Sequence, residues 1–168
     1  GISHAGFMVM AIIAMNINAV GALFYYSAAY SLASIVAFTV LMAVLNGGQD
    51  TFDRFKGLGK RNPLLAFCLT VAMLSLAGIP PVAGFFAKYT ILSALLVGTL
   101  KWQVLLAIIG ILGSLVGVYY YFRLIINMYF HSPTEDAPVE LQGSHRLLLI
   151  TCVVLLLCWE YIPIFYLG

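Results

Sequence analysis

Lys88 is the only charged residue between Asn62 and Leu100. It lies just after Ala77-Gly78-Ile79-Pro80-Pro81-Val82-Ala83-Gly84, a stretch that breaks a helix. Proline removes backbone donors, and glycine adopts dihedrals that other residues avoid. An ionisable side chain at membrane depth is expensive, so one that is kept there marks an ion or substrate pathway. An interrupted helix beside it is the device by which transporters aim backbone dipoles at an ion. Lys88 is therefore the residue expected to carry chemistry, in the first turn after the break. There the positive end of the second half-helix and the low dielectric would both weigh against its ammonium form. Gly78, Pro80, Pro81 and Gly84 permit the break, and their freed backbone should be buried in protein or line a wet cavity. Two plainer readings compete: a lysine that snorkels its head to the interface, and an ordinary turn between two short helices.

His4 is the only titratable side chain, tyrosines aside, in the opening 49 residues. It is either part of a polar axis that relays protons or a hydrogen-bonded structural histidine. Ser27, Tyr30, Ser31, Ser34 and Thr39 either extend a wetted path or, as is commoner, satisfy backbone and helix contacts. Arg123 reads as a helix-end residue meeting carbonyls or lipid phosphates, Glu160 beside Trp159 as interfacial, and the Asp50–Arg61 run as a solvated connector. Cys68, Cys152 and Cys158 sit in apolar runs, where cysteine behaves as a small hydrophobe. With no CxxC and no Cys/His cluster, neither a metal nor an iron–sulfur site is expected within this chain.

The elements that must position these groups are membrane helices. Hydrophobic residues make up 63% of the chain and charged residues 8%, against about 25% charged in an ordinary soluble domain. The first Asp, Glu, Lys or Arg is Asp50, which leaves room for two apolar spans before it. A net charge of +2 is too small to argue for nucleic acid. Asn16-Ile17-Asn18 interrupts the first apolar run, giving a truncated span over 2–16 and a full one over 20–45. Asn46-Gly47-Gly48 stops the second, a polar connector follows to Asn62, and Pro63 opens the next helix. The segment 63–100 crosses either twice or once as a broken helix. One crossing puts Arg54, Lys56, Lys60, Arg61, Arg123 and Arg146 on one side and Lys101 on the other, whereas two crossings split them five to two. The positive-inside rule favours the single broken crossing, with the connector in the cytoplasm. Spans over 102–130 and 147–165 flank a polar loop over 131–146. The expected fold is thus all-α and polytopic, with about five transmembrane segments, one of them discontinuous. Gly1 opens in mid-pattern, without Met or a signal-like segment, so residues 1–168 are expected to be the C-terminal portion of a longer membrane domain.

Leu74-Ser75-Leu76-Ala77-Gly78-Ile79-Pro80-Pro81-Val82-Ala83-Gly84-Phe85-Phe86-Ala87-Lys88-Tyr89 closely resembles the discontinuous helix of the antiporter-like subunits of respiratory complex I. Ile2-Ser3-His4-Ala5-Gly6-Phe7 resembles the Ser-His-x-Gly-Tyr segment of the N-type subunit, with Phe7 in place of Tyr. Tyr119-Tyr120-Tyr121-Phe122-Arg123 resembles its Tyr-Tyr-Tyr-x-Arg block. The three matches fall in the family's order and cover essentially the whole chain. Lys at position 88 separates it from the M type, which carries Glu. Tyr89 separates it from the L type, where Asp typically follows the Lys, and His4 points to the N type, the counterpart of mitochondrial subunit 2. Subunits of multi-subunit sodium/proton antiporters share the Pro-Pro and Lys pattern.

The resemblance implies proton translocation within an NADH:quinone oxidoreductase, with Lys88 as the protonating group and other membrane subunits as partners in a bacterial plasma membrane. NADH, flavin, iron–sulfur clusters and quinone would then belong to partner subunits. The Glu and Lys partners that the family carries on earlier helices would lie in an N-terminal half not included here. A sodium/proton antiporter subunit of the same fold and a non-transporting membrane scaffold are the alternatives.

Overall fold

A computed structural model of the protein describes residues 1–14, 16–45, 52–97, 101–133, 139 and 143–159. Among these, the helices are α1 (Ile2–Ala14), α2 (Ile17–Leu45), α3 (Leu58–Arg61), α4 (Pro63–Ala77), α5 (Ala83–Leu96), α6 (Lys101–Phe130) and α7 (Gly143–Cys158). A 3-10 turn covers Phe52–Phe55. Both α2 and α6 are long and apolar enough to cross a membrane, and α1 is the truncated span the sequence leads one to expect.

Local sequence sets the helix ends. Asn16 accepts from the Ala19 amide at 2.9 Å, starting α2, while its side-chain amide donates to the Ala94 carbonyl at 2.7 Å. Asn62 likewise accepts from the Leu65 amide at 3.1 Å at the start of α4, with Pro63 at the first helical position. α2 packs through a buried seam, Ala22, Tyr26, Ala29, Ala33, Val36 and Val40, spaced three or four apart and small apart from Tyr26. Small side chains let helix backbones approach closely where lipid offers no hydrophobic drive for association.

α4 and α5 cross the bundle once, in two halves. α4 starts at the end of the bundle where α2 and α6 finish. There Arg54 donates to the Leu45 carbonyl at 3.2 Å, Asn127 donates to the Phe52 carbonyl at 2.8 Å, and the Thr70 and Tyr129 hydroxyls lie 3.2 Å apart. α5 finishes at the opposite end, where Ala94 and Leu95 cluster with Ala14, Ala19 and Ala107. Each half-helix is about 20 Å long at 1.5 Å per residue. The two-crossing count for 63–100 is thereby set aside.

The connector is not the plain solvated run that its charges suggest. From Phe52 onward it folds back onto α6, with Phe55 and Leu58 buried and the Gly57 amide donating to the Asn127 carbonyl at 3.3 Å. Gly57 has φ 66°, and a Cβ there would fall 2.6 Å from the Pro133 nitrogen, so the fold needs glycine at this point. The apolar residues Phe55 and Leu58, hidden among the charges, explain the docking. Asp50 and Glu160 lie outside the described residues.

Candidate functional site

The break is five residues long, 78–82. Gly78 takes the left-handed conformation, φ 79°, that closes α4. Its amide donates to the Ser75 carbonyl at 3.0 Å, and the Ile79 amide donates to the Leu74 carbonyl at 3.1 Å. This paired arrangement satisfies two of the carbonyls left over at a helix C-terminus. Two more, on Leu76 and Ala77, point past the end of the helix.

Lys88 takes both. Its Nζ donates to the Ala77 carbonyl at 2.8 Å, to the Leu76 carbonyl at 3.2 Å and to the Ser114 hydroxyl of α6 at 2.6 Å. The Phe7 ring of α1 lies over it, 5.5 Å from Nζ to the ring centroid.

This placement corrects the expected electrostatics. Lys88 is the sixth residue of α5 and so lies in its second turn. Helical side chains lean toward the N-terminus, which carries the amine back across the break. It therefore meets the negative end of α4, rather than being held at the positive end of α5. The head makes three protein contacts inside the bundle, which does not match an interfacial, snorkelling lysine.

The second half-helix is capped in return. Ser75 of α4 accepts from the Gly84 amide at 3.1 Å, in the first turn of α5. The backbones meet so closely that a Cβ on Gly84 would sit 1.8 Å from the Ser75 carbonyl oxygen. Gly84 thus lies within α5 rather than in the break, and its contribution is close approach. Gly78 faces Lys88, and a Cβ there would come within 2.7 Å of Lys88 Cδ. Pro80 and Pro81 are exposed on this chain, whereas Val82, Ala83 and Gly84 are buried, so only part of the stretch is shielded as expected.

His4 is buried on α1, with both ring nitrogens engaged. Nδ1 lies 2.8 Å from the Tyr26 hydroxyl and Nε2 lies 3.1 Å from the Tyr121 hydroxyl. Tyr30 packs against the ring at a centroid distance of 4.8 Å. A neutral imidazole has one donor and one acceptor, so one phenol accepts from it and the other donates to it. A cavity of about 10 Å³ lies between this cluster and the break, lined by His4, Tyr26, Tyr30, Ser75, Gly84 and Lys88 among others. That is about the space a single water requires. Lys88 and His4, read separately from the sequence, thus share one cavity.

The other candidates divide. Ser27 and Ser31 donate at 2.8 Å to carbonyls one turn back on α2, the backbone role. Arg123 lies over the Phe52 ring at 5.3 Å, at the connector end of the bundle and away from the site. Ser75, Ser114, Tyr26 and Tyr121 were not singled out individually as site residues from the sequence. Ser114 had one visible mark, since it is the only Ser or Thr between Trp102 and Val118.

Residues 1–132 match the family model described as NADH:quinone oxidoreductase/Mrp antiporter, transmembrane. The chain is 38% identical over 164 residues to NADH-quinone oxidoreductase subunit N 2 of Sorangium cellulosum, covering 94% of this chain and 32% of that protein. It is 46% identical over 138 residues to subunit N of Flavobacterium johnsoniae, covering 81% of this chain and 29% of that protein. Among solved structures, it matches a chain of respiratory complex I from Thermus thermophilus with bound aureothin. The TM-score is 0.78 and the identity 32%, over 95% of this chain and 36% of that one. The chain therefore spans about a third of the length of the relatives it matches. The matched stretch contains the break, Lys88, His4 and Ser114, and the chain belongs to the NADH:quinone oxidoreductase/Mrp antiporter transmembrane family.

Proposed function

We propose that this chain is the C-terminal portion of an N-type subunit of a proton-pumping NADH:quinone oxidoreductase, and that it carries one half of a proton path. The observation that carries the reading is the seat of Lys88. Its amine takes the two unspent carbonyls of a broken helix and borders a water-sized cavity shared with His4. Two influences on the amine oppose each other. A charged side chain kept in lipid is costly, roughly 2.5–3.5 kcal/mol at a helix centre on insertion scales. The negative end of α4 and its carbonyls favour the ammonium form, by up to about 2 kcal/mol for the dipole in partly buried geometries. A group balanced in this way can load and release a proton when a neighbouring charge appears or leaves.

In the loaded state Lys88 holds the proton at Nζ, bonded to Leu76, Ala77 and Ser114. In the released state the proton passes to water on the cavity side, where the His4 imidazole and its two tyrosines offer the next hydrogen-bonding groups. The redox work belongs to partner subunits, with NADH, flavin, iron–sulfur clusters and quinone among their cofactors and substrates. The setting is a bacterial plasma membrane, as the bacterial relatives support.

The family description also names Mrp antiporters, which gives a second reading as a sodium/proton antiporter subunit. NADH-driven proton pumping in membrane vesicles of a strain lacking only this subunit separates the two. Loss of NADH-driven pumping, restored by the full-length gene, is the expected result. Intact NADH-driven pumping with lost sodium/proton exchange would transfer the assignment to the antiporter.

A further inference from the structure

We infer that Ser114 is the hydrogen-bond switch that lets Lys88 remain in its seat after it gives up its proton. The inference rests on the reading of Lys88 as a group that loads and releases a proton. Nζ has three polar neighbours, at 2.6 Å (Ser114), 2.8 Å (Ala77) and 3.2 Å (Leu76). An ammonium has three donors, and here all three have acceptors. The free amine keeps two N–H donors and exposes one lone pair. Neither backbone carbonyl can donate to a lone pair, whereas a serine hydroxyl can donate as readily as it accepts.

The two states therefore differ at Ser114. In the loaded state its oxygen accepts from Nζ, and its own hydrogen has the Ala77 carbonyl at 3.5 Å to turn to. Rotation about the Cε–Nζ bond turns one N–H from its acceptor toward the cavity, and once that proton has passed to water the amine turns back with its lone pair facing Ser114. The hydroxyl then reverses and donates to the amine. No bond to carbon changes, and the only charge moved is the departing proton. Without the hydroxyl, the free amine would keep a buried lone pair with no donor, a costly state in a low-dielectric interior.

Ser114 is carried to the break by α6. It lies on a turn flanked by Gly110, Gly113 and Gly117, and a Cβ on Gly110 would press on Met10 of α1 at 2.9 Å. One turn before Ser114, α6 thus meets the Met10 and Phe7 side chains of α1.

The test uses the assembled complex in native membrane vesicles, with the rate of NADH-driven proton pumping as the readout. Ser114→Thr and Ser114→Val have nearly the same shape and differ in the hydroxyl. Thr should retain pumping within about twofold of the native chain and Val should lose about tenfold, the scale of one buried hydrogen bond. Equal pumping by the two variants, whether high or low, would overturn the inference. Lys88→Met in the same background separates the two levels. If Lys88→Met pumps normally, the reading of Lys88 itself fails. If Lys88→Met is inactive while Val matches Thr, only the role of Ser114 fails.

Discussion

Lys88 Nζ stands 2.8 Å from the carbonyl oxygen of Ala77, the last residue of α4, eleven residues back along the chain. The reverse contact, from the Gly84 amide of α5 to the Ser75 hydroxyl of α4, closes the other side of the break. Each half-helix is capped by a group from its neighbour. A broken helix in lipid is tolerated only when its freed backbone groups find such partners. Here one of the partners is the titratable residue itself.

The close approach at Ser75 makes Gly84, at the start of α5, the least replaceable glycine beside the break. Gly84→Ala forces a methyl group into the space of the Ser75 carbonyl, 1.8 Å away. Overpacking commonly costs about 1–3 kcal/mol, and a backbone oxygen yields less than a side chain does. Quantifying the subunit in purified complex should show little or none for Gly84→Ala. Gly78→Ala meets the flexible Lys88 side chain instead, plus roughly 1–2 kcal/mol for its left-handed backbone. It should assemble better than Gly84→Ala but pump poorly. Native-like assembly of Gly84→Ala would mean that the two half-helices are not held this closely.

His4 joins α1 to α2 and α6 through two phenols. His4→Ala strands the Tyr26 and Tyr121 hydroxyls, and a buried polar group left unpaired costs about 1–3 kcal/mol. Tyr121→Phe removes one partner only, at a cost of about 1 kcal/mol. Thermal inactivation of the detergent-solubilised complex should therefore fall further for His4→Ala than for Tyr121→Phe. The opposite order would remove His4 from the centre of this network.

The connector and Lys101 should face opposite sides of the membrane, with the connector in the cytoplasm. The broken crossing places the start of α4 and the end of α5 at opposite ends of the bundle, and the Lys/Arg bias sets the orientation. Single cysteines replacing Lys60 and Lys101, both exposed, should react with a membrane-impermeant maleimide from opposite faces. Labelling of both from one face would contradict the topology.

Much of this was legible in the residues. Pro63, the Gly78–Pro81 punctuation and a lone lysine in an apolar run locate the broken helix, and charge bias alone favours one crossing over two. The seat of Lys88 was not legible, because it depends on which carbonyls the Gly78 cap leaves over and on the backward lean of a helical side chain. Ser75 and Ser114 look in sequence like ordinary small polar residues of membrane helices. Only the tertiary meeting of α4, α5 and α6 distinguishes them from Ser27 and Ser31, which bond their own helix. Phe55 and Leu58 were masked by the charges around them, so the connector read as solvated.

In the proposed function, Lys88 works by exchanging its proton, not by supplying a fixed positive charge. Lys88→Arg separates the two, because a guanidinium keeps its charge and hydrogen-bond donors but is effectively always protonated. NADH-driven proton pumping should be measured in vesicles that hold the assembled Lys88→Arg complex, beside Lys88→Met and the native chain. Both variants should assemble, and both should pump far below the native level. Native pumping by Lys88→Arg would show that a permanent charge suffices at this position and would contradict the proton-exchange account.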